Sequence, residues 1–360
     1  WGVYLNDFMR LMGWNANTNL TFGSFHIDIA PIIIVAFFTT LLVFGTKIGA
    51  RVDGAMTVLK IAIVFFVVIV GFFYVKASNF TPFIPPSQPA STVEGSSAVT
   101  GVMTQPLWQF ATGMTPSVYG VPGILSGAAL VFFAFIGFDV VATASEETKN
   151  PHKNVPLGIG VGMLLIIVMY MLVAVVTTGM VSYADLAKQD SPSLATAFEL
   201  VGADWAAKII SFGIVLGLAT VVMVLLLGLT RIVFAMSRDG LLPRGLSKTG
   251  KHGTPAALQI VVGAVVALVA AFFDIGVLSD MVNIGTLSAF TLVAISIPIM
   301  RKKRPDLPRA FKMPGSPWIP ILIAVANFWL MLNLSVLTWI RFVVWLVVGF
   351  ATVSYTHLRA

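Results

Sequence analysis

Of the ionisable side chains inside apolar runs, where a bilayer makes a charge costly, two invite chemistry: Asp139, in the run 123–145, and Lys60, in the run 52–75. Asp139 closes the stretch FFAFIGFD, in which Ile136-Gly137 interrupts the run near its middle. A spanning helix bonds its own backbone because lipid offers no partner, so a Gly break beside an acid suggests backbone that lines a cavity. Carbonyls ending a half-helix carry the negative end of its dipole and suit a small cationic group. Lys60 suits a different task. It follows Arg51 by nine residues, which at about 1.5 Å per residue sets it about 13 Å into a core about 30 Å thick. Burial disfavours the charged form of a Lys, so this one can load and release a proton. The competing reading is a Lys that snorkels from a tilted helix end.

The remaining candidates each have two readings. Asp139 either bonds amides freed at the break or pairs with a basic residue. Glu146 and Glu147, in the cluster EETKNP, and Arg231 and Arg238 are either ion pairs closing an inner mouth or solvated surface charge. Phe132, Phe133, Phe135 and Phe138 are either parts of a site or ordinary packing against lipid and neighbours. Hydrolysis within the membrane has no support: there is no Cys, no H-E-x-x-H, and the four His are scattered. Neither a metal site nor a cofactor is expected.

These residues must be carried by spanning helices. The chain has 360 residues, of which 58% are hydrophobic and 10% charged, with mean hydropathy +0.94, far too apolar for a soluble domain of that size. Its formal charge of +7 gathers in short loops between apolar runs, as membrane orientation requires, so nucleic acid is not an expected partner. Without Cys, disulfides and thiolate chemistry are excluded.

Residues 1–13 lack a basic leader and read as the outer end of a spanning helix. A polar, Asn- and Thr-rich loop follows, then apolar runs at 30–44 and 52–75. Residues 77–121, with six prolines at 82, 85, 86, 89, 106 and 116, form a long outer connection, either a lid or a tolerated insertion. After the interrupted run come 157–181, an acidic segment 183–204 expected to be amphipathic and interfacial, and a long helix over 205–236. Runs 254–273 and 282–300 are joined by a short turn holding Asp274 and Asp280. Runs 318–334 and 338–352 close the series, and 353–360 is a polar tail of doubtful origin. The count is about nine complete spans plus the stub. Basic loops follow alternate spans, at Lys47/Arg51, Lys149/Lys153, 238–251 and 301–312. The positive-inside rule puts these in the cytoplasm and the Pro-rich connection outside.

The motifs FFAFIGFD, EETKNPHKNVPLGI, RIVFAMSRDGLLP, VNIGTLSAF and RPDLPRAFKMP, in this order within apolar spans, resemble the amino acid–polyamine–organocation superfamily of secondary transporters, in its bacterial cationic-amino-acid-transporter branch. The resemblance implies an all-α, leucine-transporter-like fold of two inverted repeats, twelve helices in all, with substrate at the midplane between broken first and sixth helices. On that template 1–13 ends helix three, 30–76 holds helices four and five, and 77–121 is the extracellular loop. Residues 122–300 hold helices six to ten, 301–316 the basic cytoplasmic loop, and 317–352 helices eleven and twelve. The chain is then expected to begin within the third helix, without the first-helix break.

The resemblance further implies that carbonyls around Phe133, Ala134 and Ile136, beside Gly137, receive the substrate ammonium under a Phe133 gate. It implies that Leu225 faces the side-chain pocket, favouring a small neutral amino acid, and that Lys60, near Thr220, couples transport to protons. The expected function is proton-coupled amino acid uptake across the bacterial cytoplasmic membrane. Two alternatives stand beside it: an amino acid or polyamine exchanger, and a receptor-like membrane protein that does not transport. Amino acid, proton and lipid bilayer are the expected partners, and oligomeric state is left open.

Overall fold

The computed structural model describes the chain apart from residues 15–17, 23–24, 45, 93–100, 139–140, 142–147, 190–192, 248–254, 274, 308, 310–311 and 358–360. Asp139, Glu146, Glu147, Asp190, Lys248, Lys251 and Asp274 therefore lie outside the described residues.

The elements, in chain order, are α1 (Gly2–Leu11), β1 (Asn19–Phe22), β2 (Phe25–Asp28), α2 (Ile29–Phe44), α3 (Thr46–Phe72), β3 (Gln88–Pro89), α4 (Leu107–Thr112), β4 (Ser117–Val118) and α5 (Gly120–Phe135). They continue with α6 (Pro151–Met180), α7 (Tyr183–Ala187), α8 (Leu194–Leu200), α9 (Asp204–Arg238), α10 (Ala256–Phe272), α11 (Ile275–Lys303), α12 (Trp318–Leu332) and α13 (Val336–His357). Among the described residues, five segments are long and apolar enough to cross a membrane: Gly54–Phe72 of α3, α6, α9, α11 and Val336–Ser354 of α13. Four shorter apolar helices, α2, α5, α10 and α12, accompany them. The chain is an all-α multi-pass membrane protein with, among the described residues, two small two-stranded antiparallel sheets.

Several boundaries differ from the sequence reading, each for a local reason. The Asn- and Thr-rich loop contains a hairpin, β1 against β2, with Phe22 opposite Phe25; aromatic and β-branched residues there favour extended backbone. Asp280 is not in a turn, because α11 begins at Ile275 and places it in the second helical turn. The polar tail does not end the last span at 352, since α13 runs on to His357.

The chain divides into two compact units. The first comprises Trp1–Thr81, Met163–Phe273 and Thr356–Ala360, the second Pro82–Gly162 and Asp274–Tyr355. They are described separately.

In the first unit, α9 is the central helix, packed by α1, α2, α3, α8 and α10. Where α3 crosses it, α9 carries Gly213-Ile-Val-Leu-Gly217, a small-xxx-small face that lets two backbones approach. Ile63 of α3 fills the space beside Gly213, so closely that a Cβ there would collide with its Cδ1. The indole Nε1 of Trp1 donates to the Val215 carbonyl at 2.9 Å, between the two glycines. The acidic segment 183–204 contains two short helices, α7 and α8, and α8 buries Ala195, Ala197 and Phe198 in a core with Val67, Val176, Met180 and Ile210. A reciprocal capping box of Ser193 and Thr196 starts that helix. Its polar residue Glu199 reaches Arg10 of α1 at 3.1 Å.

In the second unit, Ala129 of α5, Ile284 and Leu287 of α11, and Met331 and Leu334 at the end of α12 form the core. The long connection is tied to the α12–α13 turn. Leu107 N donates to Leu334 O at 3.0 Å, Val336 N to Gln105 O at 3.1 Å and Leu337 N to Met103 O at 2.9 Å. Trp108 stacks on Trp329 with ring centroids 6.4 Å apart. This part of the connection is ordered against the helices, unlike a loose insertion.

Candidate functional site

The site begins with how α5 is entered and left. At its start Gly120 has φ 58°, and a Cβ there would stand 3.0 Å from the Ser87 backbone nitrogen; only glycine fits. Pro122 follows in the first turn, where a missing N–H costs little. After sixteen residues, Gly120 included, the helix ends at Phe135. Ile136 is extended (φ −66°, ψ 136°) and its amide donates to the Phe133 carbonyl at 3.2 Å. Gly137 has φ 129°, a conformation that residues with a Cβ rarely adopt. No atom of the described residues would lie within 4 Å of a Cβ built on it. The apolar run is therefore broken at Ile136-Gly137, with open space beside the glycine among the described residues.

The aromatic residues around the break divide by contact. Phe132 and Phe138 pack on Phe290 of α11, with centroids at 6.1 Å and 5.2 Å. The packing reading thus holds for these two. Phe133 is 41% exposed, and Ala134 is exposed beside it. Asn283 of α11, wholly buried, donates its Nδ2 to the Ala129 carbonyl at 3.2 Å.

The second set of candidates lies in the first unit. Lys60 is half-buried on α3, and a Cβ built on Gly217 would meet its Cγ at 3.4 Å and its Cε at 3.7 Å. Its stem therefore lies along α9. Thr220, 3% exposed, stands one turn on and donates its hydroxyl to the Gly217 carbonyl at 2.9 Å. The structure thus brings Lys60 and Thr220 to the same short stretch of α9. Leu225 is 44% exposed. Arg231 is half-buried, and Arg238 pairs with its neighbour Asp239 at 3.5 Å, both exposed. Among the described residues no cluster of His, Asp or Glu could hold a metal.

Sequence reasoning assigned no role to Asn283, Phe290, Gly213 or Gly217. Signals for them existed: an amide inside an apolar run, and a G-x-x-x-G spacing in a spanning helix.

The model of the family described as "Amino acid permease" matches residues 3–354. The chain belongs to the amino acid permease family. Membership sets it in the amino acid–polyamine–organocation superfamily, among transporters and not enzymes. It is 39% identical to the branched-chain amino acid permease BcaP of Bacillus subtilis over 357 residues, covering 97% of this chain and 70% of that protein. It is 38% identical to the methylthioribose transporter of Bacillus subtilis over 318 residues, covering 88% of this chain and 61% of that one. To the vacuolar cationic amino acid transporter 4 of Arabidopsis thaliana it is 34% identical over 281 residues, covering 78% and 42%. The chain thus spans between two fifths and seven tenths of the length of these permeases.

Proposed function

We propose that this permease takes up a neutral amino acid across the cytoplasmic membrane by alternating access, driven by the proton gradient. The observation that carries the reading is the end of α5 at Phe135, with extended Ile136 and open space beside Gly137. A half-helix ending inside an apolar run turns carbonyl dipoles toward that space, where an ammonium group is stabilised. Phe133, Ala134, Ile136 and Gly137 are the residues we assign to the substrate, with the exposed Phe133 ring as the gate.

Leu225 is assigned to the substrate side chain. A large apolar residue there disfavours a cationic side chain, because a charge left without a partner in an apolar setting is costly. Two relatives fit that choice by name, one for branched-chain amino acids and one for methylthioribose, whose methylthio group is also apolar.

Lys60 is assigned to the proton. Its stem is held on α9 beside Thr220, and an ionisable residue inside a span is the residue type that marks ion and proton pathways. Asp139, Glu146 and Glu147, outside the described residues, stay with Arg231 and Arg238 as candidates for gating or structural ion pairs.

Uptake of labelled leucine, valine, alanine, lysine and arginine into proteoliposomes, with the full-length protein and with or without an inward proton gradient, tests the reading. Gradient-driven uptake of the neutral set is expected. Uptake that ignores the gradient and needs preloaded amino acid would replace it with exchange, and no uptake of any of them would overturn it.

A further inference from the structure

Phe290 touches the broken helix on both sides of its break. Its ring meets Phe132, three residues before the end of α5, at 6.1 Å with planes at 77°. The same ring meets Phe138, the residue after Gly137, at 5.2 Å with planes at 35°. In an uninterrupted helix two side chains six residues apart stand about 120° apart around the axis and about 9 Å apart along it. One ring could not pack on both. The double contact exists because the chain turns at Ile136-Gly137, so it depends on the angle between two arms, α5 on one side and Phe138 just past the turn on the other.

The same face of α11 also anchors the first arm. Asn283 lies seven residues before Phe290, close to two helical turns, and so on one face with it. Its amide grips the Ala129 carbonyl from a wholly buried position, and Ile284 and Leu287 between them belong to the core with Ala129. A buried hydrogen bond of this kind holds register, because breaking it strands two polar groups away from water. Phe132 is thus held in place by its helix, while Phe138 stands past the glycine.

We propose that Phe290 is the positioning residue of the break, its ring wedged between Phe132 and Phe138 so that the two arms keep the angle that shapes the substrate cavity. The functional part rests on the reading that the break receives substrate. Edge-on and tilted aromatic pairs each contribute an increment that corresponds to a factor of about 2 to 10 in an equilibrium between two arrangements. Losing both contacts lets the arms sample other angles, and the apparent substrate affinity falls by that factor for each.

The test compares the full-length wild type with Phe290→Ala, Phe290→Leu and Phe290→Tyr in proteoliposomes, reading uptake kinetics and amide hydrogen exchange by mass spectrometry. The expected result for Phe290→Ala is a KM raised about tenfold, a smaller change in kcat, and faster exchange confined to peptides covering residues 130–138. Phe290→Tyr keeps the ring and should restore both. Should Phe290→Ala fail to fold, Phe290→Leu and Phe138→Leu are compared singly and together; equal, non-additive effects support the wedge and independent ones overturn it. Unchanged KM and exchange in Phe290→Ala would overturn the proposal outright. Wild type that transports nothing would sink the transport reading instead, while the exchange data still decide whether Phe290 holds the arms.

Discussion

Lys60 and Gly217 fit together as stem and slot: no side chain on Gly217 stands between the α9 backbone and the methylenes of Lys60. The carbonyl of that glycine takes the Thr220 hydroxyl at 2.9 Å. A Lys needs an apolar path for its stem and a polar end for its amine, and a glycine on the facing helix supplies the first by omission. The position of the amine is then set by helix packing.

Lys60→Ala should therefore remove the gradient dependence of uptake, by at least about tenfold or about 1.4 kcal/mol of driving, while exchange of preloaded substrate continues. Gly217→Ala, whose Cβ would sit at ordinary contact distance from the Lys60 stem, should keep it. Gly217→Leu should behave like Lys60→Ala. Counterflow and gradient-driven uptake, measured side by side, separate these outcomes, and an unchanged pH profile in Lys60→Ala removes the proton assignment.

Gly213→Ala places a methyl where Ile63 Cδ1 already stands. Overpacking of this kind costs about 1–3 kcal/mol, and a fall in the melting temperature of the detergent-solubilised protein should register it. Ile63→Val deletes that Cδ1, so the double variant should recover most of the loss.

Gly137→Ala meets no described atom, yet it should destabilise. The cost is the backbone, since φ 129° is strained for any residue with a Cβ, by about 1–3 kcal/mol. A variant that melts like wild type and transports normally would show that the break relaxes.

Asp185 accepts the Ser182 hydroxyl at 2.7 Å and Lys188 Nζ at 3.1 Å. The Ser182 bond first, then Lys188, lowers its pKa below the ordinary carboxylate value. With the folded value below the unfolded one, its stabilising contribution is complete above the unfolded pKa and is lost as pH falls through the folded value. It should be constant from pH 7 to pH 5. Carboxyl carbon NMR should find Asp185 titrating low, and Ser182→Ala should move it up.

Spans were the most legible part of the sequence, because lipid imposes long apolar runs, and among the described residues five segments are long and apolar enough to cross, with four shorter apolar helices beside them. The break at Ile136-Gly137 was legible because its glycine stands two residues from an acid inside an apolar run. The segment 183–204 was legible only in part. Its charges suggested a surface, yet Phe198, next to Glu199 in α8, is fully buried; short helices hide their apolar face from a reading by composition. Asp280 misled for the same reason, since an acid near an apolar run looks like a turn. In the helix its carboxylate accepts a hydrogen bond from Thr338 at 3.2 Å. Phe290 was invisible as a bridging residue because its partners become neighbours only after the chain turns, and no spacing in a sequence encodes that turn's angle.

The bonds from Met103, Gln105 and Leu107 to residues 334–337 join stretches more than two hundred residues apart in the chain. Synthesis at about 5–20 residues per second delivers the first of them many seconds before the second exists. Until α12 and α13 are made, residues 103–107 lack these partners, and a nascent chain arrested before residue 334 should expose them to protease. Completion of the α12–α13 pair is thus what fastens this part of the loop, and a defect there would be felt first in a segment made more than two hundred residues earlier.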